Sequence, residues 1–482
     1  MHSLVLFLFA ACLPPVWLMD QKALDEFVNL PDPHYKYTFV KKFFSPITTN
    51  IILNMTSQKW LNESEVDKPY WSHELTIVMF GRMRHLRDSC LLILQPGQND
   101  ISPLTSPFNG ADIILAAMKS KSIVAVLNPF PSQPLTFYDH PLGYKNITGY
   151  DTVAYSWWRF MNDPTAPPHW LVQFPMVKAA VRAMDTITHY MKNNDNKVIK
   201  RFTLTGIALG GWISWLTAAV DKRVEGIVPI AMDFLNFTES FHHQYRAYCG
   251  WSYMLKPFYE MNITQELDNP RFSDLVHLVD PLAYNEQYAD IAKRIIIYSG
   301  DEFFPPDNSR YYFSQLEGTK YLQILPNSDY GFQETKGKYF ITFILPFYLR
   351  LVENSKEYLP NVSWEMKMTN TSGTIILRTY NVYRVYSYHA DTVGGTRRDF
   401  RMKIAAGNSS KNNPVKWIKT ELWETERYHY RKEMSIPAKG WRAFFIQVVY
   451  ATKMIVTSEM LIMPDTFPCS DCNGDGCRGT LV

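Results

Sequence analysis

A chain of 482 residues is long for one hydrophobic core and predicts two domains, one large and one small. Hydrophobic residues make up 46% and charged residues 20%, with 29 Phe, 29 Tyr and 13 Trp, which fits thick folded cores and excludes disorder over most of the length. The net charge of +3 implies no polyanion partner, and without a basic stripe, RNA-binding signature or zinc-finger spacing, nucleic acid is excluded too.

Leu4 to Val16 (LVLFLFAACLPPV) is almost entirely apolar, and charged residues begin at Asp20 and Lys22. The run is shorter than the roughly 20 residues a bilayer span needs and matches a secretory h-region, so residues 1–19 are predicted to be a signal peptide. No other segment is apolar for long enough to span a membrane. Sequons at Asn54, Asn62, Asn146, Asn236, Asn262, Asn361, Asn370 and Asn408 support export and surface glycosylation. Cys12 leaves with the signal. Cys90, Cys249, Cys469, Cys472 and Cys477 remain, an odd number that leaves a free thiol or a possible disulfide-linked oligomer.

From residue 88, short apolar runs alternate with amphipathic segments. Strands are predicted at Cys90 to Leu94, Ile123 to Leu127, Phe202 to Thr205, Val224 to Met232, Arg294 to Ser299 and Tyr321 to Leu325. Helices are predicted at Ala111 to Ser120, from Pro175 onward and at Trp212 to Val220. In the second, Val177, Ala180, Val181, Met184, Ile187 and Met191 fall at three- and four-residue steps and share one face. Strands separated by helices imply a parallel sheet covered on both sides. After Pro360 the texture changes to short segments rich in β-branched and aromatic residues, such as Thr374 to Leu377, Val382 to Tyr386 and Trp441 to Tyr450. This reads as an all-β sandwich over 360–466, following an α/β domain over 20–355. A Cys-containing tail, 467–482, is expected to be weakly ordered.

Thr205-Gly206-Ile207-Ala208-Leu209-Gly210-Gly211-Trp212 lies between a strand and a helix, where G-x-S-x-G places a nucleophilic serine. The small residues Gly206 and Gly210 are present, but the centre is Ala208, whose methyl group cannot attack a carbonyl. Around it stand Tyr150-Asp-Thr-Val-Ala-Tyr155-Ser-Trp-Trp158, Pro175-Met-Val-Lys-Ala-Ala-Val-Arg182, Val228-Pro-Ile-Ala-Met-Asp233, Gly300-Asp301-Glu302-Phe303-Phe304, Pro326-Asn327 and Gly440-Trp441. With these motifs the chain resembles the PhoPQ-activated pathogenicity-related proteins, within the α/β-hydrolase superfamily, over roughly residues 30 to 468.

The resemblance implies an α/β-hydrolase-like parallel sheet flanked by helices, with the smaller C-terminal sandwich. The family's elbow, approximately G-A-S-K-R-G-W, places its serine on Ala208, its lysine on Leu209 and its arginine on Gly210. Asp301, at a strand end, is the candidate acid, with Asp307 as local competitor; the family's histidine falls on Tyr330, and a phenol is a poor base at neutral pH. Gln95, Gly97 and Gln98 fall where an oxyanion loop would lie, and Gly97, Gln98, Gly206 and Leu209 are expected to line the pocket.

Other candidates are set aside. His242-His243 lack a third ligand at helical spacing, Ser214 sits more than a turn below the elbow, and Asp471 to Gly476 begins like a calcium loop but has Val482 where a glutamate is required. Cys469, Cys472 and Cys477 read as a disulfide clip or an intermolecular bridge. No metal or cofactor is expected. The expectation is a secreted, catalytically inactive hydrolase homologue that binds an extracellular ligand or receptor. The alternatives are an active esterase or peptidase with a rearranged site, and an adhesive module led by the sandwich.

Overall fold

The computed structural model describes residues 22–81, 86–97, 110–330, 340–355, 359–407 and 409–482. The signal segment, Gln98 and Asn408 lie outside the described residues. Helix α1 (Lys22–Asn29) leads into antiparallel strands β1 (Lys36–Phe44), β2 (Thr48–Lys59) and β3 (Tyr70–Phe80), which the sequence reading did not find. β1 is exposed on both faces, so it carries no apolar period for pattern reading to detect.

The expected alternation follows: β4 (Ser89–Leu94), α2 (Gly110–Ser120), β5 (Ile123–Asn128), α3 (Tyr150–Asn162), α4 (Gln173–Asp195), β6 (Arg201–Ile207), α5 (Leu209–Val220), β7 (Val224–Ile230), α6 (Phe237–Tyr248), α7 (Lys256–Glu260), α8 (Pro270–Val279), β8 (Ala292–Tyr298), β9 (Lys320–Leu325) and α9 (Phe340–Val352). Strands run in the order β1-β2-β3-β5-β4-β6-β7-β8-β9, and β5 through β9 are parallel. β4, β5 and β8 are buried along their whole length because helices cover both faces, which is why they read as unbroken apolar runs. The stripe Val177, Ala180, Val181, Met184, Ile187 and Met191 of α4 packs into one core with Trp212 of α5. Ile344 and Phe347 of α9 pack with Ala116 and Ala117 of α2 on the opposite face.

The C-terminal region comprises β10 (Val362–Met368), β11 (Ser372–Thr379), β12 (Val382–Asp391), β13 (Lys403–Ala406), β14 (Ser409–Asn412), β15 (Ile418–Leu422), β16 (His429–Ser435), β17 (Arg442–Tyr450), β18 (Ile455–Thr457) and β19 (Leu461–Met463). β10-β11-β16 form one antiparallel layer. It faces a second layer of β18-β17-β12-β15: a Cβ on Gly373 of β11 would come within 3.5 Å of Phe444 on β17. Ile375 and Leu377 of one layer share a core with Val385, Ile446 and Val448 of the other. The second layer continues the main sheet, joined at Thr457↔Leu322 between β18 and β9.

The tail corrects the sequence reading. It is pinned rather than loose, by disulfides Cys249–Cys469 and Cys472–Cys477. Trp251 N–H donates to Thr480 O (2.8 Å) and Val482 N–H to Trp251 O (2.8 Å). The odd cysteine is Cys90, 0% exposed on β4, so it offers no thiol for a disulfide-linked oligomer. Among the described residues no helix is long and apolar enough to cross a membrane. Asn54, Asn62, Asn146, Asn262, Asn361 and Asn370 are exposed, whereas Asn236 is half-buried and its side-chain amide donates to Tyr311 O (3.2 Å).

Candidate active site

The strand order reverses around β4, which lies between β5 and β6, and the carboxyl ends of strands flanking such a reversal form the usual crevice of an open α/β sheet. Ala208 sits there, in the one-residue turn from β6 into α5, with φ 52° and ψ −115°. An L-residue held in so sparsely populated a conformation carries about 1–3 kcal/mol of strain. The turn is over-determined by its neighbours. Ala208 N–H donates to Ile230 O and Trp212 N–H to Ala208 O, both at 2.9 Å. A Cβ on Gly206 would lie 2.5 Å from the carbonyl carbon of Gly210, and one on Gly210 would lie 2.5 Å from Leu94 O. The glycines therefore allow helix and strand to approach closely, and residue 208 stays partly exposed at the apex. The geometry is that of a strained strand-to-helix turn with a methyl group at its apex.

Asp301 follows β8 and Tyr330 follows β9, so both reach the same edge. The Asp301 carboxylate accepts from Phe303 N–H (2.6 Å) and Phe304 N–H (3.1 Å), while burial and then Glu302 raise it well above the usual carboxylate range. Burial, then Tyr150 and Asp301, push the Tyr330 phenol well above 10, so it cannot serve as a base near neutral pH. Asp301 and Tyr330 are thus electrostatic neighbours. Two members of this cluster were not singled out from sequence. Tyr150 stacks against Phe303 with ring centroids 4.4 Å apart, and Phe303 lies 5.4 Å from Tyr330. Glu302 accepts from Tyr330 N–H (2.7 Å), and burial raises its carboxyl to about 7. Both residues stand within family motifs, but nothing local to either marks the meeting.

Asp307, the competing acid, is engaged elsewhere. It accepts from His243 Nε2 (2.8 Å) and pairs with Arg398 (2.6 Å), and Tyr311 donates to the other ring nitrogen of His243 (3.1 Å). Burial alone would raise its carboxyl; Arg398 and His243 instead hold it well below the usual range.

The residues expected at an oxyanion loop are held by local contacts. Gln95 is buried and its N–H donates to Leu127 O (3.1 Å). Gly97 O accepts from Gln133 Nε2 (2.6 Å), and a Cβ on Gly97 would lie 2.6 Å from Asn128 Oδ1. Leu209 opens α5, so its N–H has no acceptor within the helix, while its side chain enters the core. Behind Tyr150, a cavity lined by Trp157, Trp212, Phe234, Phe303 and Phe304 has only about 10 Å³ of room, close to one water.

Other nucleophile–base pairings lead nowhere. Ser57 Oγ is 3.0 Å from His73 Nε2, and His73 Nδ1 donates to Pro129 O (2.8 Å). Both side chains are buried, and burial lowers the imidazole to about 4, leaving a neutral internal strut. Ser214 Oγ donates back to Gly210 O (2.7 Å) inside α5. His242 and His243 point apart, His242 reaching Asp471 (2.7 Å). Ligand atoms of His242, Asp471 and Cys472 lie within 4.8 Å of one another, but Cys472 is bonded to Cys477 and offers no thiolate.

The sequence profile of the PhoPQ-activated pathogenicity-related proteins matches residues 24–401. The chain is 31% identical to autocrine proliferation repressor protein A of Dictyostelium discoideum, over 95% of this chain and 94% of that one. Similar solved structures include acetyl xylan esterase 1 from Thermoanaerobacterium sp. JW/SL YS485 (12% identity, 66% of this chain and 90% of that one, TM-score 0.42). Another is the acetyl xylan esterase from Paenibacillus sp. R4 (12% identity, 69% of this chain and 92% of that one, TM-score 0.43). On the profile and the amoebal relative, the chain belongs to the PhoPQ-activated pathogenicity-related protein family.

Proposed function

We propose that this protein is a secreted, glycosylated pseudo-hydrolase that acts by binding an extracellular ligand or receptor. Ala208 at the apex of the strained elbow carries the reading: the scaffold for a nucleophile is intact and the nucleophile is missing. Tyr330 adds to it, because a buried phenol beside Asp301 accepts no proton from an attacking group near neutral pH. Losing one member of a nucleophile–base–acid unit costs nearly as much rate as losing all, so two losses leave little turnover. Export is supported by the apolar N-terminal run, by six exposed sequons and by two disulfides, which persist in oxidising compartments. The amoebal relative's name, a proliferation repressor, favours signalling over nutrition.

The test is turnover of a panel of acyl esters and aryl esters by purified secreted protein. The reading expects no hydrolysis above background. Hydrolysis abolished by a single substitution at this edge of the sheet would restore the rearranged esterase.

A further inference from the structure

A second concavity lies where the β2–β3 connection meets α1 and the turn before α4. Its volume is about 530 Å³, within the range of small-ligand sites. Phe27 and Trp170 give it apolar walls. Asp32, His34, Glu65 and Lys178 give it a sparse set of hydrogen-bonding groups. That mixture suits a sugar, which presents an apolar ring face and a hydroxyl-bearing edge. The floor is built rather than incidental. Lys178 is 2% exposed and donates to Phe27 O (3.1 Å) and Leu30 O (2.7 Å). His169 stacks on Phe27 with centroids 5.7 Å apart and is held by Trp60 Nε1 donating to its carbonyl (2.8 Å).

One residue on the rim names the occupant. Asn62, exposed and part of the sequon Asn62-Glu63-Ser64, lines this groove. Glu65 fixes its direction by accepting from both Asn62 N–H (2.9 Å) and Asn62 Nδ2 (3.0 Å). We propose that the groove seats the first hexosamine rings of an N-glycan carried on Asn62. The inference rests on the export reading. The sugar attached there has no need to find the groove from solution, since linkage at the rim keeps its local concentration in the millimolar range or higher. Asn370, exposed in the turn between β10 and β11, serves as internal control.

The experiment uses the full secreted protein. Glycopeptide mass spectrometry measures occupancy at each sequon, and a peptide-N-glycosidase time course on native protein measures release. The proposal expects Asn62 to be occupied and its glycan released about tenfold more slowly than that on Asn370, a difference that vanishes on denaturation. The double variant Leu30→Ser with His34→Ala, which changes two solvent-accessible lining residues of the groove, brings the two rates together without altering secretion. Equal native rates overturn the proposal, as does an empty Asn62 beside an occupied Asn370. Empty sequons throughout would overturn the export reading along with it.

Discussion

Ala208 holds a backbone conformation that its side chain disfavours. Replacing it with glycine relieves the strain at the cost of some unfolded-chain entropy. Ala208→Gly should therefore raise stability by about 1 kcal/mol in urea unfolding. Gly210→Ala should do the reverse, losing about 1–3 kcal/mol, because the new methyl meets Leu94 O. If Ala208→Gly destabilises, the elbow is not strained as described. The neighbouring carboxyls set a pH dependence. Burial raises Glu302 and Asp233 to about 7, above their ordinary values. A raised folded-state value means stability that is complete below about pH 4 and is lost as pH rises through about 7. The urea midpoint should therefore fall between pH 5.5 and 8, and Glu302→Gln should flatten the slope. Asp307 works in the opposite sense: its depressed value gives stability that is lost only as pH falls below the ordinary carboxylate range.

At the scale of elements, the two lobes are held by more than the shared sheet. Arg398, from the chain between β12 and β13, reaches Asp307 beyond β8, and its N–H donates to Ala247 O of α6 (2.9 Å). Arg398→Ala should cost about 3 kcal/mol, since it leaves the buried Asp307 with only His243 and the longer contact to Arg310 (3.6 Å). Arg398→Ala combined with Asp307→Asn should recover part of that loss, and a purely steric role for Arg398 would show no such recovery. The tail is tied to the same region: Cys249 ends α6 and bonds Cys469, and Arg401 Nη1 donates to Val482 O (2.8 Å). Which elements were legible in the sequence follows from how far apart their determinants lie. β4, β5 and β8 declare themselves as apolar runs because both faces are covered, and the α4 stripe does so by its period. β1 is wet on both sides and leaves no such mark. The Cys249–Cys469 staple spans 220 residues, and the sheet passes from β9 to β18 through the one paired position Thr457↔Leu322. Neither can be read from spacing.

For the molecule as a whole, the candidate site was half visible. The turn is local: Gly206, Ala208 and Gly210 stand together in the chain, and the two glycines allow the close approach of β6, β4 and α5. Tyr330 was reached only through resemblance, and its meeting with Tyr150 and Asp301 is a product of the parallel sheet, which delivers three distant loops to one edge. What the fold then presents is a hydrolase frame closed behind its edge by aromatic side chains, with a sandwich and a disulfide-pinned tail fused to it. The most direct measurement is labelling by a fluorophosphonate serine-hydrolase probe, applied to the secreted protein and to the double variant Ala208→Ser, Tyr330→His. The account predicts a silent wild type and a labelled variant, because the elbow, Asp301 and the Leu209 N–H are all in place. A labelled wild type would reveal a working nucleophile and contradict the account outright, and silence from both would contradict the claim that the scaffold is preserved.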